Sequence, residues 1–488
     1  PGGGCQSAMD AARGGWQCRA MRLPFRIFGL SAFASAPVLT LALAVALTFA
    51  LPGTARAHSA EQAFVLLLPT EVYTWAGVGA VALTVLVAGL WPFAGPAGRA
   101  MSPASAIPFR HAEGAAVQTV RAAALAVLGG LIFVGLYGPR DPLSNLLPLS
   151  VWSLWWIAFP VLQGIAGDLW RWVMPWTTLS WPEERRALIA LPGWLGQWPA
   201  VLGFLGFNAF LLADPAPNDP WRLAAFVMIY AAFTFAAVAL TGPGWLMRGE
   251  FATAILGWYA RLAPGLRHLP GGRLAGVLPS ISGAVLVLSI LGSGSFDGLK
   301  ETFFWLGLQG VNPLEFPGRS AVVVPTLAGL VLANLLLVGA FALAVWLGLR
   351  LAGMRGMLRE AFCRLSLAML PIALGYHIAH YLSAAIVESQ YLLLAMSDPL
   401  GRRADLLGLG GFQVTTGMFN RLDTVEILWL IQAGAVVIGH VWSVLLGHAI
   451  ALRLAGTPRL AAISQIPLSL FMIAYTFFGL WLLATPRA

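Results

Sequence analysis

Apolar residues run along this chain in ten blocks, separated by short stretches rich in Gly, Pro, Arg and Asp. A block of roughly 20 apolar residues is what a helix needs to cross the hydrocarbon core of a bilayer. The pattern predicts transmembrane helices near 72–92, 120–137, 149–167, 198–213, 223–241, 275–293, 321–348, 365–387, 425–449 and 463–484. The fourth is short, and the sixth is interrupted by Gly and Ser. Residues 246–263 (LMRGEFATAILGWYARLA) mix apolar and polar positions at helical spacing, which predicts an amphipathic helix lying on the membrane face. The expected fold class is an all-α integral membrane protein, about ten transmembrane helices following an N-terminal signal peptide.

The N-terminal stretch divides in two. Residues 1–20 read as a doubtful upstream leader. From Met21 the pattern is that of a signal peptide over 21–57: Arg22 and Arg26 are followed by an apolar run and then by Ala55-Arg56-Ala57, small residues spaced as a signal peptidase requires. Cleavage there leaves His58 as the mature N-terminus and 58–488 as a single polytopic domain. The alternative is an uncleaved first helix.

Composition agrees with a membrane protein. The chain has 488 residues, 59% hydrophobic and 10% charged, with mean hydropathy +0.79. Soluble domains carry about 25% charge, so a soluble enzyme, a disordered chain and a nucleic-acid binder are excluded. The net charge of +9 comes from 29 basic residues, and Lys300 is the one lysine among them. With His58 outside, the loops on the opposite side hold sixteen basic and six acidic residues, against eight and thirteen on the side of His58. By the positive-inside rule both termini face the periplasm of a bacterial inner membrane. Ten spans also permit two inverted sets of five, an arrangement frequent in transporters, although the halves show no self-similarity. Trp residues cluster over 149–181, which predicts an interfacial belt or a wall for stacking a ligand.

Polar groups inside a membrane are costly and mark function by default. In the eighth span His377 and His380 stand three apart and share a helical face. Pro371 and Gly375 precede them and predict a kink there. His440 in the ninth span falls at an overlapping depth, whereas His448 lies too far toward the other end. His377, His380 and His440 thus form a candidate metal trio, with Glu388 and Glu426 near the outer mouth. A mature N-terminal His58 would add an amine and an imidazole, a pair suited to copper; imidazole also suits zinc. The same histidines could instead bond neighbouring helices, through Tyr376, Tyr381 and Ser383, or relay protons, or ligate a haem axially.

The outer loops GPRDPLSNLLP, SFDGLKETFFW and SDPLGRRADLLG place Asp141, Asp297, Lys300, Glu301, Asp398 and Asp405 beside Pro or Gly, which is turn chemistry. Asp168 and Arg171, three apart, predict a local ion pair. Cys363 is the one cysteine after the leader, so any metal site must use His and carboxylates. No phosphate loop, dinucleotide fingerprint, His-Glu-x-x-His or Gly-x-Ser-x-Gly elbow is present.

The stretches GPRDPLSNLLPLSVWSLWW, GDLWRW, SFDGL, YHIAHYLS, QYLLLAMSDPLGRRADLLG, GHVWSVLLGHAIAL and YTFFGLWLL, in that order, resemble a group of bacterial polytopic membrane proteins, some labelled fenitrothion hydrolase. The likeness runs from about residue 72 to the C-terminus. It implies hydrolysis of an apolar organophosphorus ester at its aryl bond, assisted by a divalent metal on the histidines, with Glu388 or Asp398 as base. The rival expectation is a transporter of copper, zinc or a small solute. Beyond the bilayer and an apolar substrate, a partner subunit is the further candidate partner.

Overall fold

The computed structural model describes residues 64–90, 114–178, 187–264, 271–315 and 318–486. The leader, the signal segment and His58 lie outside the described residues. Among the described residues, ten helices are long and apolar enough to cross a bilayer: α1 (Thr70–Leu90), α2 (Ala115–Tyr137), α3 (Leu146–Ala166), α4 (Gly193–Ala213), α5 (Pro220–Thr241), α6 (Ile281–Lys300), α7 (Arg319–Leu351), α8 (Leu358–Ser397), α9 (Leu422–Ala455) and α10 (Pro458–Ala484). Among the described residues there is no β-strand. The protein is a multi-pass helical membrane protein.

Burial ranks the spans. The most apolar window of α6 is 83% buried and that of α8 is 78%, against 17% for α2, so α6 and α8 form the centre. On α7, Val324, Val331, Leu335 and Leu336 are exposed, an outward apolar surface of the kind lipid covers. The bundle closes through backbone contacts at small residues, as membrane helices do where no hydrophobic effect separates protein from lipid. A Cβ on Gly375 of α8 would collide with the Ala435 carbonyl of α9, and one on Gly439 would stand 2.7 Å from the Pro371 carbonyl.

Four expectations are corrected by this architecture. The sixth span ends at Lys300 and not near 293, because the polar run Ser293–Lys300 is satisfied inside the bundle instead of forming a loop. The eighth runs to Ser397, ten residues beyond the expected edge. Its break precedes the histidines: a tight turn at Leu367–Met369 ends one helix, and Pro371 opens the next within its first turn, where its missing N–H costs nothing. Residues 246–263 do not lie on a membrane face. Helix Gly244–Arg248 stops at Gly249, and a second helix, Phe251–Tyr259, is buried at every position. That half-helix begins at Glu250, whose carboxylate accepts from the N–H groups of Ala252 and Thr253 and from the Tyr230 hydroxyl.

Part of the Trp cluster turns inward, while Trp172 stays exposed. Trp152, Trp170 and Trp176 are buried. Trp152 and Trp155 pack on Phe207 of α4, and Trp170 donates to the Thr253 hydroxyl at 2.8 Å. Asp168 and Arg171 form no ion pair: the backbone N–H of Arg171 donates to Asp168, while its guanidinium lies over Trp172.

Candidate functional site

The site begins with an irregularity in α3. Residues Ser150–Ala158 wind as a π-helix, a widened turn that is frequent at functional sites. Pro160, which has no N–H to donate, follows two residues later. In this stretch the Ile157 carbonyl accepts from His377 Nε2 at 3.2 Å, and the Trp156 indole N–H donates to the Tyr381 hydroxyl at 3.1 Å. The Trp156 ring meets His377 edge-on, with centroids 5.5 Å apart.

α8 supplies His377, His380 and Tyr381, and α6 supplies the acid. His380 Nε2 donates to Asp297 Oδ2 at 3.1 Å, and the Tyr381 hydroxyl donates to the same oxygen at 2.6 Å. Asp297 Oδ1 lies 3.4 Å from Lys300 Nζ, which also contacts Glu301 at 2.7 Å. Burial is nearly complete at the inner members. Side-chain exposure is 7% at His380, 9% at Asp297 and 11% at Lys300, rising to 40% at Glu301, where the network reaches the surface. Tyr376 stacks on His380 with rings 11° from parallel. It can approach because α6 carries Gly298 there; a Cβ at that position would occupy the place of the Tyr376 hydroxyl.

The charges decide what this group can do. With both carboxylates ionised and Lys300 protonated, the cluster carries one net negative charge, and a proton on His380 balances it. Because Nε2–H is committed to Asp297, the second ring nitrogen, Nδ1, is the basic one. That atom is buried, and no described residue bonds it. For Glu301, just beyond α6, burial pushes the carboxyl up and the Lys300 ammonium pulls it further down, leaving it below its ordinary value.

Beside the histidines lies a cavity of about 30 Å³, walled by α3, α4, α6 and α8 through Trp156, Phe204, Asn208, Asp297, His377, His380 and Tyr381. Ile255 and Tyr259 of the buried half-helix complete it. A space of this size admits one or two waters.

The sequence-derived candidates separate. His377 and His380 share the cavity, but His440 does not line it. The Gly375–Gly439 crossing sets His440 level with Pro371, which is roughly 9 Å below His377 at 1.5 Å per residue. Its Nδ1–H donates to Val436 of its own helix at 2.8 Å, and its ring is directed to Tyr475 of α10. Among the described residues no three His, Cys, Asp or Glu side chains are grouped to hold one metal ion. Glu388 is half-buried on α8, accepting from Ser153 of α3. Asp398 accepts from the backbone N–H groups of Arg402 and Arg403 at 2.9 and 2.7 Å, which is the turn chemistry expected of it. Glu426 accepts from Tyr73 at 3.0 Å.

Asp297 and Lys300 were expected in a loop, and their place at the centre is the main addition. Their i,i+3 spacing inside a Gly/Ser-rich apolar run is the signal that could have shown it. Comparison of the chain with family models, with curated proteins and with solved structures finds no match.

Proposed function

We propose that this protein carries protons across the membrane, with His380 and Asp297 exchanging the proton. The observation that carries the reading is a hydrogen-bonded His–Asp pair buried between two central spans, with no described residue bonding the second ring nitrogen of the histidine. Ionisable groups at membrane depth that pair with each other are the usual parts of proton relays. Lys300 and Glu301 lead from the pair to the surface, and the cavity at His380 has room for the water that would hand a proton on. The excess of Arg on one side orients that side to the cytoplasm, so Glu301 would open to the periplasm.

The test is proton flux into proteoliposomes under an imposed membrane potential, followed with an internal pH dye. Flux from the wild type, lost in Asp297→Asn and in His380→Phe, is the expected result. A wild type that inserts and carries no protons overturns the proposal.

One observation favours a second reading, hydrolysis. His380 Nδ1 beside a water-sized cavity is the arrangement of a general base. Water would lose its proton to Nδ1 while its oxygen attacks phosphorus, and an aryl oxide would leave, as the resemblance to the fenitrothion hydrolase group implies. The cavity would have to widen to take an ester. Nitrophenol release from fenitrothion by the same proteoliposomes, dependent on His380, would decide for this reading.

A further inference from the structure

A second buried base lies on the other side of α8, unused by the pair just described. His440 is 1% exposed. Its Nδ1–H is committed to the Val436 carbonyl, so Nε2 carries the lone pair, and no described residue bonds that nitrogen. A neutral imidazole buried with a bare acceptor forfeits a hydrogen bond that Phe or Leu would not need. Packing alone therefore does not account for it.

The surroundings of His440 are polar in one direction. Its ring lies 6.4 Å, centroid to centroid, from that of Tyr475. The Tyr475 hydroxyl shares a 2.6 Å hydrogen bond with Ser295, two residues before Asp297 on α6. Either oxygen can be the donor there, so the pair can reverse its hydrogen bond as a proton passes. The levels follow from the helix crossing. His440 is opposite Pro371, roughly 13 Å below His380, and His448, bonded by Gln465 at 2.9 Å, is roughly 12 Å lower again at 1.5 Å per residue. The three histidines thus descend in near-equal steps toward the Arg-rich face.

We infer that His440 is a proton station: Nε2 takes a proton handed on by water from the Tyr475–Ser295 side, Nδ1–H stays on Val436, and the proton leaves from the same Nε2 through water toward His448. This rests on the transport reading and supplies its inner half. No bond other than N–H and O–H changes, and each group returns to its starting state after a cycle.

His440→Asn is the informative variant, because the Asn amide can still donate to Val436 while the acceptor nitrogen is gone. Tyr475→Phe removes one oxygen and keeps the ring, so it provides the same test should the Asn variant fail to fold. Each is reconstituted beside wild type and Asp297→Asn, with thermal melting in detergent to show that the fold is retained. The expected result is flux reduced on the order of a hundredfold, the scale of a lost acid–base group, in variants that still melt in one cooperative transition. Flux within about twofold of wild type in both folded variants, with Asp297→Asn inactive, overturns the station and leaves the transport reading standing. Absence of flux from the wild type overturns both.

Discussion

His380 and Asp297 are eighty-three residues apart in sequence, yet Nε2 of one donates to Oδ2 of the other at 3.1 Å. Removing the carboxylate charge leaves Lys300 with Glu301 alone and His380 beside a neutral amide. Breaking a buried charge pair from one side costs about 3–5 kcal/mol. Asp297→Asn should therefore lower the melting temperature in detergent as well as stop proton flux, while Glu301→Gln, at the exposed end of the network, should cost much less.

Tyr381 links the pair to the π-turn of α3, since it donates to Asp297 at 2.6 Å and accepts from Trp156 at 3.1 Å. A hydrogen bond to a charged acceptor contributes about 1.5–3 kcal/mol and a neutral one about 1 kcal/mol. Tyr381→Phe should then destabilise more than Trp156→Phe. In a double-mutant cycle the two losses should be non-additive, and strict additivity would show that the indole does not position the hydroxyl.

Glycines separate contact from propensity. Gly439→Ala places its Cβ 2.7 Å from a backbone carbonyl, whereas Gly434→Ala on the same helix meets nothing within 4 Å. The first should destabilise by about 1–3 kcal/mol through forced separation of α8 and α9. The second should be neutral or stabilising by up to about 1 kcal/mol, the helix preference of Ala over Gly. Equal melting temperatures for the two variants would contradict the close crossing.

Glu250 lies outside the spans, where burial raises its carboxyl to about 7 although Thr253 and Ala252 bond its charged form. The folded state thus binds the proton more tightly than the unfolded one. Stability is fully present below the unfolded value of 4.5 and falls as pH rises to about 7. The loss amounts to roughly 3 kcal/mol at 1.36 kcal/mol per pH unit. Melting measured from pH 4.5 to 8 should show that decline in the wild type and a flatter curve in Glu250→Gln.

Asp398 holds a turn in which Arg403 takes a left-handed backbone, φ 61°. Asp398→Ala should leave proton flux unchanged and speed tryptic cleavage at Arg402 and Arg403. A loss of flux would return this residue to the list of catalytic candidates.

What the sequence determined by itself was the count of spans and the residue types of the site. Ten apolar blocks of membrane-crossing length can be read one by one, because each satisfies its backbone hydrogen bonds internally and needs no partner to be recognised. His377 and His380 were legible for the same local reason, three residues apart on one turn. Asp297 was not, because whether a carboxylate ends a span or enters it depends on what stands opposite, and His380, Tyr381 and Lys300 are brought there only by the packing of α6 against α8. His440 fell out of the histidine group on a similar ground. Its depth follows from the Gly375–Gly439 crossing, and the register between two antiparallel helices is set by which backbones can touch, a property neither helix carries alone. The buried half-helix Phe251–Tyr259 makes the same point: its mixed pattern suits a membrane surface, and the packing of α3, α4, α6 and α8 around it is what buries it.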